Sequence, residues 1–206
     1  MYFRKFLNKI FRKIFFRKKY TIRQRSNQRE ALIYYKTDSL YYRPFKLQFH
    51  TNEAEIDILI KLLVEKGFNL TIIDRTASKK TITNCLIKKY NLFLANCAGN
   101  SSPYINFVLK NINAQNIIAY ATGPDPNISN DLVNKRHDDC KKRLNTESFV
   151  TRRIVRGLEK ELNSRFINSD YIFCIGKGFA SKTYSKYKKK VFGINPTISN
   201  NLDFDL

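Results

Sequence analysis

Only two histidines occur in the 206 residues, and one of them, His50, stands where a short apolar run meets a helical stretch opened by Thr51 or Asn52. An imidazole at the end of a strand can take a proton from a hydroxyl or hold that hydroxyl by a hydrogen bond. A structural or solvent-exposed His50 is equally open, and His137, inside a charged stretch, reads as solvated. Arg136, Arg143, Arg152, Arg153 and Arg156 form a helical region whose planar guanidinium forks suit phosphate or carboxylate, or simply face water. Gly176-Lys177-Gly178 follows an apolar run, with Ser181 where a dinucleotide fingerprint has its third glycine. That fingerprint belongs to a first βα turn with an acid about 20 residues onward, so a plain strand-to-helix turn is the better reading. No GxxxxGK[ST] run is present. The four cysteines, Cys85, Cys97, Cys140 and Cys174, contain no CxxC pair and no zinc spacing, so no metal site is expected. Reduced thiols and a cytoplasmic setting follow, with Cys97 and Cys174 in or beside apolar runs where a free thiol packs as a small hydrophobe.

These residues need a scaffold. From Phe45 onward short apolar runs alternate with longer helical stretches, which is the pattern of βαβ units and a mostly parallel sheet. Strands are predicted over residues 47–50, 68–74, 91–97, 116–121, 171–175 and 191–194. A helix over 53–66 closes at Gly67, another runs over about 101–111, and 128–165 is mostly helical. Five or six strands with flanking helices make a doubly wound α/β domain over residues 44–206, whose ligands sit beyond the carboxyl ends of the strands. Those ends carry His50 to Asn52, Asp74 and Arg75, Ala98 to Ser102, Thr122 to Asp125, and Gly176 to Phe179.

The formal net charge is +21, and residues 1–29 hold eleven Lys or Arg with no Asp or Glu. The remainder carries 27 basic and 17 acidic residues, an excess that reads either as attraction to phosphate or anionic lipid or as a Lys- and Asn-rich composition. Within the tail, Phe3, Phe6, Leu7, Ile10, Phe11 and Ile14 recur on one helical face, while Arg4, Lys5, Lys9, Arg12, Lys13 and Arg17 fill the other. An N-terminal amphipathic helix is therefore expected within a basic tail and linker over residues 1–43. It is too interrupted by charge to span a bilayer, which takes roughly 18 apolar residues, and lacks the apolar block of a signal peptide. An anionic membrane surface suits it, at about 1 kcal/mol per basic residue. Packing on its own domain or on a partner stays open, whereas the apolar stripe argues against nucleic acid.

The runs YNLFLANCAG (90–99), NIIAYATGPDP (116–126), NKRHDDCKKR (134–143) and SDYIFCIGKGFASKTY (169–184), in that order after His50, resemble the amino-terminal domain of bacterial GT-B glycosyltransferases, over roughly residues 45–200. The resemblance implies a Rossmann-like domain that holds a sugar or lipid-linked acceptor in a cleft and receives sugar from a nucleotide sugar as co-substrate, with no further cofactor. It implies His50 as the base, Asn52, Gly99, Asn100, Thr122 and Gly123 near the acceptor, and Arg136 and Arg143 beside it. Complete enzymes of this kind carry a second, donor-binding domain after the first, whereas this sequence ends at Leu206. A donor-binding partner subunit or domain is therefore expected to complete any transfer, or the chain binds without turnover. Such enzymes often work on envelope acceptors at the cytoplasmic face of the inner membrane, where the tail would hold this protein peripherally.

Overall fold

The computed structural model describes residues 19–23, 29–37, 51–98, 103–145 and 154–195, with backbone alone at 51–55. Seven strands form one sheet: β1 (Lys19–Ile22), β2 (Glu30–Tyr35), β3 (Asn69–Asp74), β4 (Lys89–Asn96), β5 (Asn113–Ala121), β6 (Tyr171–Ile175) and β7 (Lys190–Ile194), in the order β1-β3-β2-β4-β5-β6-β7. All neighbours are parallel except β1, which pairs antiparallel with β3 at the edge. The helices are α1 (Thr51–Glu65), α2 (Lys79–Leu86), α3 (Ile105–Asn111), α4 (Pro126–Leu144), α5 (Glu159–Ile167) and the single turn α6 (Phe179–Lys182), before a 3-10 turn at Ser185–Tyr187.

The sheet begins upstream of residue 44, because β1 and β2 both lie in the stretch that composition assigns to tail and linker. Ala31 to Tyr35 form a continuous apolar run rather than an alternating one, as a strand covered on both faces must. Surrounded by basic and polar residues, that run reads as linker. The strand expected over 47–50 lies outside the described residues, as does the tail helix with its candidate membrane residues Phe3 to Ile14.

Side chains alternate between two cores with the period of a strand. On β2, Leu32 and Tyr34 join one core, and Ala31, Ile33 and Tyr35 the other. The first core is covered by Ile82 and Cys85 of α2, Ile105, Val108 and Leu109 of α3, and Phe166 of α5. The second is covered by Ile56, Ile60 and Leu63 of α1. Helices α1 and α2 thus lie on opposite faces, as right-handed crossovers require when the chain steps from β2 to β3 on one side and then back past β2 to β4. Helix α1 ends as expected at Gly67, whose φ of 79° is costly for any residue with a Cβ. The Phe68 N–H then bonds the Leu63 carbonyl and closes a Schellman turn (2.9 Å). Helix α3 starts at Ile105, about four residues later than expected, and α2 was not anticipated.

Because β2 pairs with both β3 and β4, a chain that begins at residue 44 should not fold, whereas one that begins at Lys19 keeps every described strand. Circular dichroism melts check this: a cooperative transition is expected for the longer chain alone.

Candidate ligand-binding site

The connections from β2 and β4 leave in opposite directions, so a crevice opens between the carboxyl ends of these two strands. A small cleft lies there, lined by Tyr34, Tyr35 and Lys36 at the end of β2, Arg75 just beyond β3, and Asn96, the last residue of β4. The Arg75 N–H donates to the Tyr35 carbonyl (2.9 Å) and the Tyr34 hydroxyl donates to the Arg75 carbonyl (3.3 Å), so the turn after β3 is stitched to the end of β2. The Asn96 Oδ1 is buried and has no hydrogen-bond partner among the described residues. A buried amide oxygen left without a donor is destabilising, and a ligand hydroxyl would satisfy it.

Asp74 braces this wall from behind. Its Oδ2 accepts from the Thr37 N–H (3.0 Å) and hydroxyl (2.7 Å), and its Oδ1 accepts from the Thr76 N–H (2.7 Å) and from the Thr76 hydroxyl. Burial pushes the Asp74 carboxyl up, but these four donors outweigh it and hold the pKa below its ordinary 3.8. On the other side of Asn96, Arg165 of α5 reaches under β4 and donates to the Cys97 carbonyl (3.3 Å). Burial lowers the pKa of Arg165 and raises the Cys97 thiol to about 12, so Cys97 is not a nucleophile at neutral pH.

A second buried network fixes the loop after β5. Asp125 is wholly buried and caps α4, with its Oδ1 accepting from the Asn127 N–H (3.0 Å) and Lys186 Nζ (3.1 Å). The Tyr187 hydroxyl donates to Asp125 Oδ2 (2.5 Å) and also lies 2.7 Å from Asn163 Oδ1. The Gly123 carbonyl accepts from the Tyr184 hydroxyl (2.8 Å), which ties the same loop to the segment after β6. Thr122 and Gly123 are thereby held, partly exposed, at the carboxyl edge of the sheet. A Cβ at Gly123 would meet no described atom within 4 Å, so neither packing nor backbone demands glycine there and the space in front of it is open.

The anticipated site residues divide. Thr122, Gly123 and Arg75 lie at the expected edge, and α1 begins at that edge with Thr51 and Asn52, because it must return antiparallel to β2. His50, Gly99 and Asn100 lie outside the described residues. Arg136 and Arg143 are exposed ten and seventeen residues into α4, about 15 and 26 Å along its axis from the edge, and the structure does not bring them to the cleft. His137, expected in solvent, is buried beside Asp138 on the inward side of α4. Gly176-Lys177-Gly178 is a plain turn: α6 has four residues, and β7 packs so closely that a Cβ on Gly193 would lie 3.3 Å from the Lys177 backbone. Tyr35 and Lys36 were missed because β2 was not recognised as a strand, for which the apolar run before Lys36 was the signal; Asn96 was missed because the strand over 91–97 was read as ending one residue later than β4 does. Among the described residues no group of three or more His, Cys, Asp or Glu could hold a metal ion, and no helix is long and apolar enough to cross a membrane.

No family model, curated protein or solved structure matches this chain. The geometry makes two predictions. A carboxyl whose folded pKa is depressed adds stability above its unfolded pKa and loses it as pH falls through the folded value. Urea titrations should therefore show stability declining below about pH 4, and Asp74→Asn should be weaker at neutral pH with a flatter acid limb, since its amide N–H group opposes the threonine donors. Tyr187→Phe leaves the buried Asp125 Oδ2 without its donor and should cost about 1–3 kcal/mol, read in the same titrations.

Proposed function

We propose that this chain is the acceptor-side domain of a glycosyl-transfer system working at a membrane surface. The observation that carries the reading is the strand order. A reversal between β2 and β4 opens a crevice at the carboxyl edge, and Asn96, Arg75, the Thr122-Gly123 loop and the start of α1 all meet at that same edge. The resemblance of four successive sequence runs to GT-B amino-terminal domains points to the same edge as an acceptor cleft.

In the proposed reaction the acceptor hydroxyl oxygen bonds to the anomeric carbon of the donor sugar as the bond from that carbon to the nucleotide diphosphate breaks. The hydroxyl proton passes to His50, one residue before α1 begins at the edge. The diphosphate leaves with the nucleotide, held by a donor-binding partner. The Asn96 amide oxygen would accept from a sugar hydroxyl. The basic amphipathic sequence of residues 3–17 would bring the domain to an anionic, lipid-linked acceptor.

The full chain is tested on vesicles of a bacterial polar lipid extract, with radiolabelled UDP-glucose, UDP-N-acetylglucosamine and GDP-mannose and a membrane extract as the source of donor-binding partner. Label is expected in the lipid fraction only when the chain is present, and His50→Ala should lower it by roughly 10²–10⁴-fold, the usual contribution of a general base. Incorporation that is absent, or independent of the chain, overturns the reading.

A further inference from the structure

Strand β1 runs antiparallel to β3 with Lys19 opposite Ile73, so the chain that precedes Lys19 joins the sheet at its carboxyl edge, at the β1 end. Near the other end of that edge two large apolar side chains face solvent. Phe179 opens α6 just beyond β6 and is 61% exposed, and Leu158, the N-cap of α5, is 72% exposed. Helix α5 leads back to the start of β6, so its own first residues lie at the carboxyl edge. The bond from Asn127 Nδ2 to Asn163 Oδ1 (2.9 Å) sets residue 163 beside the start of α4, and Leu158 stands about 7 Å further out along α5. Phe179 is presented by backbone rather than by packing. Gly176 and Gly178 take φ of 99° and 78°, and the Lys182 and Thr183 N–H groups bond back to the Gly178 and Phe179 carbonyls (3.1 and 3.2 Å), which fixes the turn that carries the ring.

The charges around this ring have one sign. Residues 171–194 hold six Lys and no Asp or Glu, and Lys177 and Lys182, on either side of Phe179, are both exposed. Around Leu158 the charges balance, Lys160 against Glu159, while the Glu161 carboxylate accepts from the Leu158 N–H (3.2 Å). An aromatic ring set between lysines suits an anionic bilayer, where the ring enters the acyl boundary and the ammonium groups stay at the level of the phosphates. A single exposed apolar residue would be ordinary. Ile87, at the opposite edge, is 79% exposed and followed by Lys88 and Lys89. The point of attachment of the basic amphipathic sequence decides between the two edges, since a six-residue strand such as β3 sets the amino edge about 20 Å further from it.

We infer that the carboxyl edge of the sheet is a membrane-docking surface, with Phe179 and Leu158 inserted into an anionic bilayer and Lys177 and Lys182 on its phosphates. This rests on reading residues 3–17 as membrane-binding and adds a second contact, in the folded domain itself. Strands β1 and β6 are five strand intervals apart, about 24 Å, so two separated contacts set the orientation of the domain where a single tether would let it swing. The crevice between β2 and β4 lies between them and faces the lipid.

The chain has no tryptophan, so a single introduced one reports its own surroundings. Full chains carrying Phe179→Trp, Leu158→Trp or Ile87→Trp are titrated with phosphatidylcholine vesicles, with and without phosphatidylglycerol, and with brominated forms of the same lipids. Emission from positions 179 and 158 should shift to the blue and be quenched by bromine on the anionic vesicles, while position 87 stays in water. In cosedimentation with the anionic vesicles, Phe179→Ala should weaken binding at least threefold. Lys177→Ala with Lys182→Ala should weaken it at least tenfold, at about fivefold per basic residue, whereas Lys88→Ala with Lys89→Ala should change it less than twofold. All of these sites are exposed, and circular dichroism checks that each variant keeps its fold. Vesicle binding that leaves position 179 or 158 in water overturns the inference while the tail reading survives, and a shift at position 87 in their place would put the opposite edge on the bilayer. A blue shift that grows with protein concentration in the absence of lipid would assign these residues to a contact between copies and overturn it as well. No vesicle binding by the full chain overturns both readings. Sugar transfer enters none of these readouts, so a chain that docks as described and supports no transfer would uphold the inference while the transferase reading fails.

Discussion

Strand β2 is buried on both faces and paired on both edges, and most of the structure follows from that. Ala31, Leu32 and Ile33 have no exposed surface, and Tyr34 and Tyr35 almost none. Burying five such side chains stabilises the fold by several kcal/mol at about 25 cal/mol per Å². It also determines topology: with β3 on one side and β4 on the other, the chain must reverse direction across β2. The reversal sends the connections from β2 and β4 to opposite sides, and the cleft lies at the ends of these two strands.

Two buried carboxylates hold the rim of that edge. Burying an ion costs several kcal/mol unless hydrogen bonds replace its hydration. Asp74 and Asp125 meet this condition in the same way, each with donors from two separate segments. Asp74 joins the end of β2 to the turn after β3, and Asp125 joins the loop after β5 to the residues after β6. Removing a donor leaves a charge stranded rather than merely weakening a contact, so such networks fix loop positions more sharply than apolar packing would. The edge is thereby preorganised at its described positions, which limits the ordering cost of binding a small ligand.

Much of this could be read from the sequence, and the gaps have physical causes. Strands β3 to β7 announce themselves as apolar runs between helical stretches, and Gly67 marks the end of α1 because only a residue without a Cβ accepts that φ cheaply. Strand β2 escaped because its run abuts a basic tail, and the same lapse hid Lys36 and half of the cleft. Asp125 could be read only as part of a proline-stiffened loop; its partners Lys186 and Tyr187 lie 61 and 62 residues away, and no local spacing connects them. The exposed arginines of α4 misled for a complementary reason. A planar fork suits phosphate wherever it occurs, but ten residues of helix carry Arg136 about 15 Å from the edge.

Distance also settles what the net charge of +21 can contribute to ligand choice. Exposed charges are screened over about 8–10 Å at physiological ionic strength. Basic residues spread over the surface can steer an anion toward the protein, but they cannot select where it rests. Selection falls to the groups within one screening length of wherever an anion rests. A Lys-rich composition would scatter cations over the whole surface. It would not by itself set two of them at the ends of adjacent parallel strands, beside a buried amide oxygen that lacks a donor and at the point where the sheet reverses.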